Sequence, residues 1–167
     1  MKTLLISGAQ DTGKTEALQR LVTPHLIPFV VESSVRPIPE FPVPPPPPRR
    51  PRDFRALFDI NGIRVIISTS SDDLKAVKTA RAFFDKHNNV KPIDILITSI
   101  RAEPDPVRTT LLTAFGLNVA SADVVEIPLG KVTRRGSRRP LARTGMQNAI
   151  DRLIVHVLSN APFNLPI

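Results

Sequence analysis

The chain has 167 residues, 41% of them apolar, which suffices for one domain with a buried core and falls short of two domains of average size. It contains no cysteine, which excludes a disulfide framework and any thiolate metal centre. Its net charge of +8 is not a uniform basic coat: one Lys and five Arg lie within 131–143 (KVTRRGSRRPLAR) and four Arg against one Asp within 49–55 (RRPRDFR), leaving the remainder close to neutral.

The first expected element is residues 3–7 (TLLIS), a continuous apolar run that stops at Gly8, as a buried parallel strand does. Ala17, Leu18, Leu21 and Val22 then repeat at helical spacing up to Pro24. Residues 28–35 are expected as a short extended piece. Nine of the eighteen prolines fall between Pro37 and Pro51, so the insertion 36–52 can be neither regular helix nor central strand, and polyproline II is its natural form. Two apolar runs within 54–71 flank Asn61-Gly62, the dipeptide that best accepts the two positive φ values of a type I′ turn, and predict a hairpin. Ser70 or Ser71 is the expected cap of a helix running through Leu74, Val77, Phe83 and Phe84 toward Asn88-Asn89. A buried strand is expected over 92–100, a helix from Asp105-Pro106 to Gly116, a strand over 123–129, and a last helix carried by Met146, Ala149, Ile150, Leu153, Val157 and Leu158. Strands and helices alternate after one hairpin. The expectation is a single α/β domain over 1–167, a three-layer sandwich with a mostly parallel central sheet.

No apolar run reaches membrane-spanning length, and the run at residues 4–6 breaks at Ser7-Gly8 before a secretory core can form, so the expected setting is cytoplasmic, with no membrane partner.

Residues 8–15 (GAQDTGKT) fill every fixed position of G-x-x-x-x-G-K-[ST], between the first expected strand and helix. Each position has a physical task. The glycines let the main chain bend and bring N–H groups to phosphate oxygens, and a helix starting at Gly13 or Lys14 directs its positive end at the same anion. Lys14 reaches the terminal phosphates and the Thr15 hydroxyl is placed for Mg²⁺, while main-chain donors from Gln10 through Asp11, Thr12 and Gly13 to Thr15 cradle the β-phosphate. The competing structural reading is a glycine-containing βα turn with a solvated lysine. In Gly8, Gly13, Lys14 and Thr15 the sequence resembles the P-loop NTPase superfamily. That resemblance implies ATP or GTP with magnesium, bound at the C-terminal edge of the sheet.

A triphosphate site also calls for a carboxylate at a neighbouring strand end to hold the metal. Asp59, Asp72, Asp73 and Asp94 are the candidates. Asp94 begins its strand and so faces away, and the two hairpin strands cannot both end at the phosphates. If the second hairpin strand is parallel to the first strand of the fold, Asp72 is the preferred carboxylate, with Thr69 or Ser70 as helpers. Ser70-x-x-Asp73 also matches a capping arrangement with no catalytic meaning. Asp11, inside the loop, is a further candidate for positioning a water or an acceptor.

The hairpin after the first helix is reminiscent of the translational-GTPase-like branch. The chain departs from it, with no D-x-x-G after residues 66–71 (IISTSS) and no N-K-x-D near residues 95–102, so ATP is the expected nucleotide. Small-molecule and nucleotide kinases are the other resemblance, and Arg101, just past a strand, is placed to reach a phosphate. The basic segment 131–143, with Arg134 and Arg135, reads as a lid over the triphosphate, as a contact for nucleic acid or another polyanion, or as a solvated loop. Pro44, Pro47 and Arg49 fit P-x-x-P-x-R, which resembles ligands of SH3-type grooves, although a stiff connector explains the tract as well. The expected activity is therefore ATP hydrolysis by a switch or assembly factor. Alternatives are a phosphotransferase and a nucleic-acid- or partner-binding module regulated by nucleotide.

Overall fold

The computed structural model describes residues 1–10, 12–34, 53–69, 73–130 and 139–167, with the helical backbone alone for 139–143. The elements run β1 (Lys2–Gly8), α1 (Lys14–His25), a 3-10 turn (Ile27–Phe29), β2 (Val30–Ser33), β3 (Arg55–Ile60), β4 (Ile63–Ser68), α2 (Leu74–Asn88), β5 (Ile95–Arg101), α3 (Pro106–Phe115), β6 (Val124–Leu129) and α4 (Arg139–Ser159). The strands form one six-stranded sheet in the order β2-β3-β4-β5-β1-β6. β4, β5, β1 and β6 are mutually parallel, and the β3–β4 hairpin and the short edge strand β2 add antiparallel pairings. The α/β class and the mostly parallel sheet are thus as expected.

Strand alternation distributes the core between two faces. Leu4 and Ile6 pack with Ala17, Leu18, Leu21 and Val22 of α1 and with Ile154 and Leu158 of α4. Leu5, between them, packs with Val77 and Phe84 of α2 and Leu111 and Phe115 of α3. Each fully buried Leu or Ile contributes about 2 kcal/mol of transfer free energy, and β1 is buried from Thr3 to Gly8 because helices cover both of its faces. The hairpin turns at Asn61 (φ 53°) and Gly62 (φ 88°), the two left-handed residues that the Asn-Gly pair predicts.

Several boundaries differ from expectation. α1 does not stop before Pro24 but includes it in its last turn, where the missing donor costs one hydrogen bond and Leu26 N still reaches Val22 O at 2.9 Å. α2 is capped by Asp73, whose Oδ1 accepts from Ala76 N at 2.7 Å, and Ser70 and Ser71 lie outside the described residues. α3 starts as predicted, with Asp105 accepting from Val107 N at 2.8 Å, and closes on Gly116 at φ 64°. α4 begins earlier than its apolar pattern, and its Leu153 is exposed to solvent. The tract 36–52 lies outside the described residues. Among the described residues, no helix is long and apolar enough to cross a membrane.

Candidate functional site

β1 ends at Gly8 in the interior of the sheet, between the last residues of β5 and β6: Gly8 is in register with Arg101 on one side and Leu129 on the other. The chain then bends into α1 within a few residues. A Cβ on Gly8 would stand 2.6 Å from Thr12 Oγ1 and 2.9 Å from Leu129 O, closer than a carbon can approach, so the bend requires glycine there. Gly13 caps α1 at φ 87°, a left-handed conformation in which a side chain is strained. Thr12 Oγ1 donates to Ala9 O at 2.9 Å and braces the turn from inside.

Lys14 opens α1 and is 93% buried, since its relative exposure is 7%. Its ammonium folds back into the bend, where Nζ donates to Gly8 O and Ala9 O, both at 2.9 Å. Both acceptors are neutral carbonyls. A cation held inside a loop by two dipoles lies beside the positive end of a helix, and α1 leaves its first-turn N–H groups without intrahelical acceptors. An anion entering the bend would therefore meet an ammonium and the helix end together.

Thr15, the last position of the motif, does not turn into the loop but donates from Oγ1 to Asp53 Oδ1 at 3.1 Å. Asp53 immediately precedes β3, which runs antiparallel, so its N-terminal end lies at the same sheet edge as the C-terminal ends of the parallel strands. Thr69, at the end of β4, fastens this point: its Oγ1 accepts from Phe54 N at 2.8 Å, its N–H donates to Phe54 O at 3.0 Å, and Oγ1 stands 3.3 Å from Asp53 Oδ1. Ser99 of β5 in turn donates to Thr69 O at 2.7 Å. Arg101 shares the strand face of Ile97 and Ser99 by alternation, level with Gly8. Lys14, Thr15, Asp53, Thr69, Ser99 and Arg101 thus converge on one edge and one face of the sheet.

β4 is parallel to β5 and β5 to β1, so the end of β4 lies at the same sheet edge as Gly8. Asp72 itself, with Asp11, Arg134 and Arg135, lies outside the described residues. Gln10 is exposed at the bend. Asp59 sits at the opposite edge, where its Oδ1 accepts from Gly62 N at 2.9 Å in the hairpin turn, and Asp94 is there too, accepting from Arg64 N at 2.8 Å. Asp59 is thereby ruled out as a partner of the loop. Asp53 carries no local signal in the sequence, because it stands before its strand and not at the end of one. The antiparallel sense of the hairpin, itself legible from Asn61-Gly62, was the signal that could have found it.

The basic segment is tethered at both ends. It leaves β6 at Leu129, beside Gly8. It re-enters the described structure in α4, which lies along α1 in the same direction: Gln147 Nε2 donates to Glu16 Oε2 at 3.2 Å, and Arg20 holds Asp151 through two hydrogen bonds of 2.8 and 3.0 Å. The start of α4 is therefore on the side of the α1 N-terminus.

On the other face, Arg108 of α3 makes paired bonds of 2.9 and 2.8 Å to the Glu126 carboxylate of β6, a further bond of 3.1 Å to Glu103, and a bond to Arg101 O. The Arg108 hydrogen bond holds the Glu126 carboxyl below its ordinary range, against the opposing effect of burial and with help from Ser7. Among the described residues no three His, Cys, Asp or Glu side chains gather as a metal group. No protein-family model, no curated protein and no solved structure matches this chain, so its function is read from the geometry just described.

Proposed function

We propose that the protein binds a nucleoside triphosphate, ATP with Mg²⁺, in the bend 8–15 and hydrolyses it, acting as a switch or assembly factor of the P-loop NTPase kind. The observation that carries this reading is Lys14: a buried ammonium resting on two neutral main-chain carbonyls, at a helix N-terminus, behind a glycine that admits no side chain. In the bound state Lys14 would exchange carbonyls for phosphate oxygens and offset charge on the transferring group. Main-chain donors from Gln10 to Thr15 would orient the β-phosphate. The residues also suit a hard cation, since a hydroxyl and a carboxylate oxygen already stand together at Thr15 and Asp53. Magnesium, when bound, supplies charge neutralisation on the phosphates.

The segment 131–143 serves in this reading as a lid, with Arg134 and Arg135 closing on the triphosphate. Its support is that β6 ends at Leu129 beside Gly8 and that α4 starts on the side of the α1 N-terminus. Arg101, level with Gly8, is the third basic group within reach.

ATP turnover measured with Mg²⁺, with and without DNA or RNA, tests the proposal beside a Lys14→Ala control. Turnover that Lys14→Ala abolishes supports it. Nucleic-acid binding that responds neither to nucleotide nor to that substitution would replace the enzyme reading with a polyanion-binding module, and phosphate delivered to an added acceptor would make it a phosphotransferase. Substituting Arg134, Arg135, Arg138 and Arg139 together is expected to lower turnover; unchanged turnover with lost polyanion binding rejects the lid.

A further inference from the structure

We infer that Asp53 is the carboxylate which, with the Thr15 hydroxyl, holds the divalent cation of the bound triphosphate. The inference rests on reading residues 8–15 as a triphosphate site. Thr15 Oγ1 and Asp53 Oδ1 stand 3.1 Å apart. Magnesium takes oxygen ligands at about 2.0–2.1 Å in a near-ideal octahedron, which places adjacent ligands about 3.0 Å from each other. The pair already spans one octahedral edge. A cation entering between the two oxygens would only need the hydroxyl to turn its proton away, with little displacement of either atom.

The surroundings favour the same assignment. Asp53 is exposed, so a hydrated ion can reach it, whereas Thr69 beside it is 3% exposed and fixed by main-chain bonds on both sides. The hydroxyl of Thr69, 3.3 Å from Asp53 Oδ1, steadies the carboxylate, and Ser99 steadies Thr69. Magnesium in nucleotide sites keeps several waters and uses one or two carboxylates beside the phosphates, so a single acid is enough. Asp59 and Asp94 are engaged by Gly62 N and Arg64 N at the opposite edge. The metal ligand is thus delivered by the start of an antiparallel strand.

Calorimetric titration with ATP, in Mg²⁺ and in EDTA, tests this through binding rather than turnover. For the unaltered protein, Mg²⁺ is expected to tighten binding. In Asp53→Asn, which keeps an acceptor for Thr15 and Thr69, that gain should shrink about tenfold or more while affinity in EDTA stays within about twofold. Asp53→Cys should lose the gain in Mg²⁺ and recover it in Cd²⁺, a recovery Asp53→Asn lacks, because thiolate prefers the softer ion and the chain has no other cysteine. The cysteine variant also decides the matter should the asparagine variant fail to fold. An undiminished Mg²⁺ gain in Asp53→Asn, or absent Cd²⁺ recovery together with a gain abolished by Asp72→Asn, overturns the assignment. ATP binding by the unaltered protein that ignores Mg²⁺ overturns the cation site alone, and no ATP binding in either buffer overturns the triphosphate reading with it.

Discussion

Lys14 and Arg108 are two buried cations near the same edge of one sheet, on opposite faces, and they are held in different ways. Arg108 is held by carboxylates: a paired interaction with Glu126, a bond to Glu103 and a carbonyl take four of the five N–H donors of its guanidinium. Lys14 is given two carbonyls. A planar guanidinium locked to carboxylates has nothing to gain from a new anion, and its neighbourhood is built for holding α3 to β6. In the proposed reading the contrast is between a charge used for cohesion and one that a phosphate would meet.

The largest effect that could break this comparison is at Arg108. Arg108→Met, similar in bulk, leaves Glu126 without its partner and should lower unfolding stability by about 3 kcal/mol in urea titration, with triphosphate affinity unchanged. A loss of affinity without a loss of stability would reverse the roles assigned here. Lys14→Ala should do the opposite: ATP affinity falls about a hundredfold, or about 2.7 kcal/mol by titration, while the urea midpoint barely moves. Gly8→Ala sharpens the picture by touching the bend alone. Its Cβ collides with Thr12 Oγ1 and Leu129 O, so a cost of about 2 kcal/mol in stability and a weaker triphosphate complex are expected together.

The smallest effect is a matter of acidity. Because the folded-state carboxyl of Glu126 is held below its ordinary value, its contribution is fully present above about pH 4.3 and is lost as pH falls through the folded value. Urea midpoints measured downward from that pH should therefore decline less steeply in Glu126→Gln than in the unaltered protein. Equal slopes would mean that Arg108 does not bias the proton on Glu126.

Much of the fold was legible from local chemistry. Residues 3–7, buried on both sides, read as an unbroken apolar run, and Asn61-Gly62 announced its turn through the backbone angles only such a pair accepts readily. What local patterns do not encode is lateral order. Nothing in the strand sequences says that β5 lies between β4 and β1, because all three are mostly apolar and buried and any neighbour would suit them. The site divides in the same way. Gly8, Gly13, Lys14 and Thr15 announce themselves by spacing, whereas Asp53 is thirty-eight positions from Thr15 and meets it only through the sense of the hairpin. Arg108 gave no signal either, since an arginine on a helix is ordinarily solvated, and its burial depends on which strand α3 covers.

The margins of the sheet carry a last consequence. On one side, β6 bears Pro128, which has no N–H to offer an incoming strand; on the other, β2 is four residues long, its register to β3 slips between Val30 and Glu32, and Glu32 is engaged by Lys86. Main-chain recruitment of another polypeptide is thus unfavourable at both borders. Assembly with other molecules has to use side chains on helices and loops, and in the proposed reading the loop edge where Thr15 and Asp53 meet is where a bound nucleotide would change what those partners encounter.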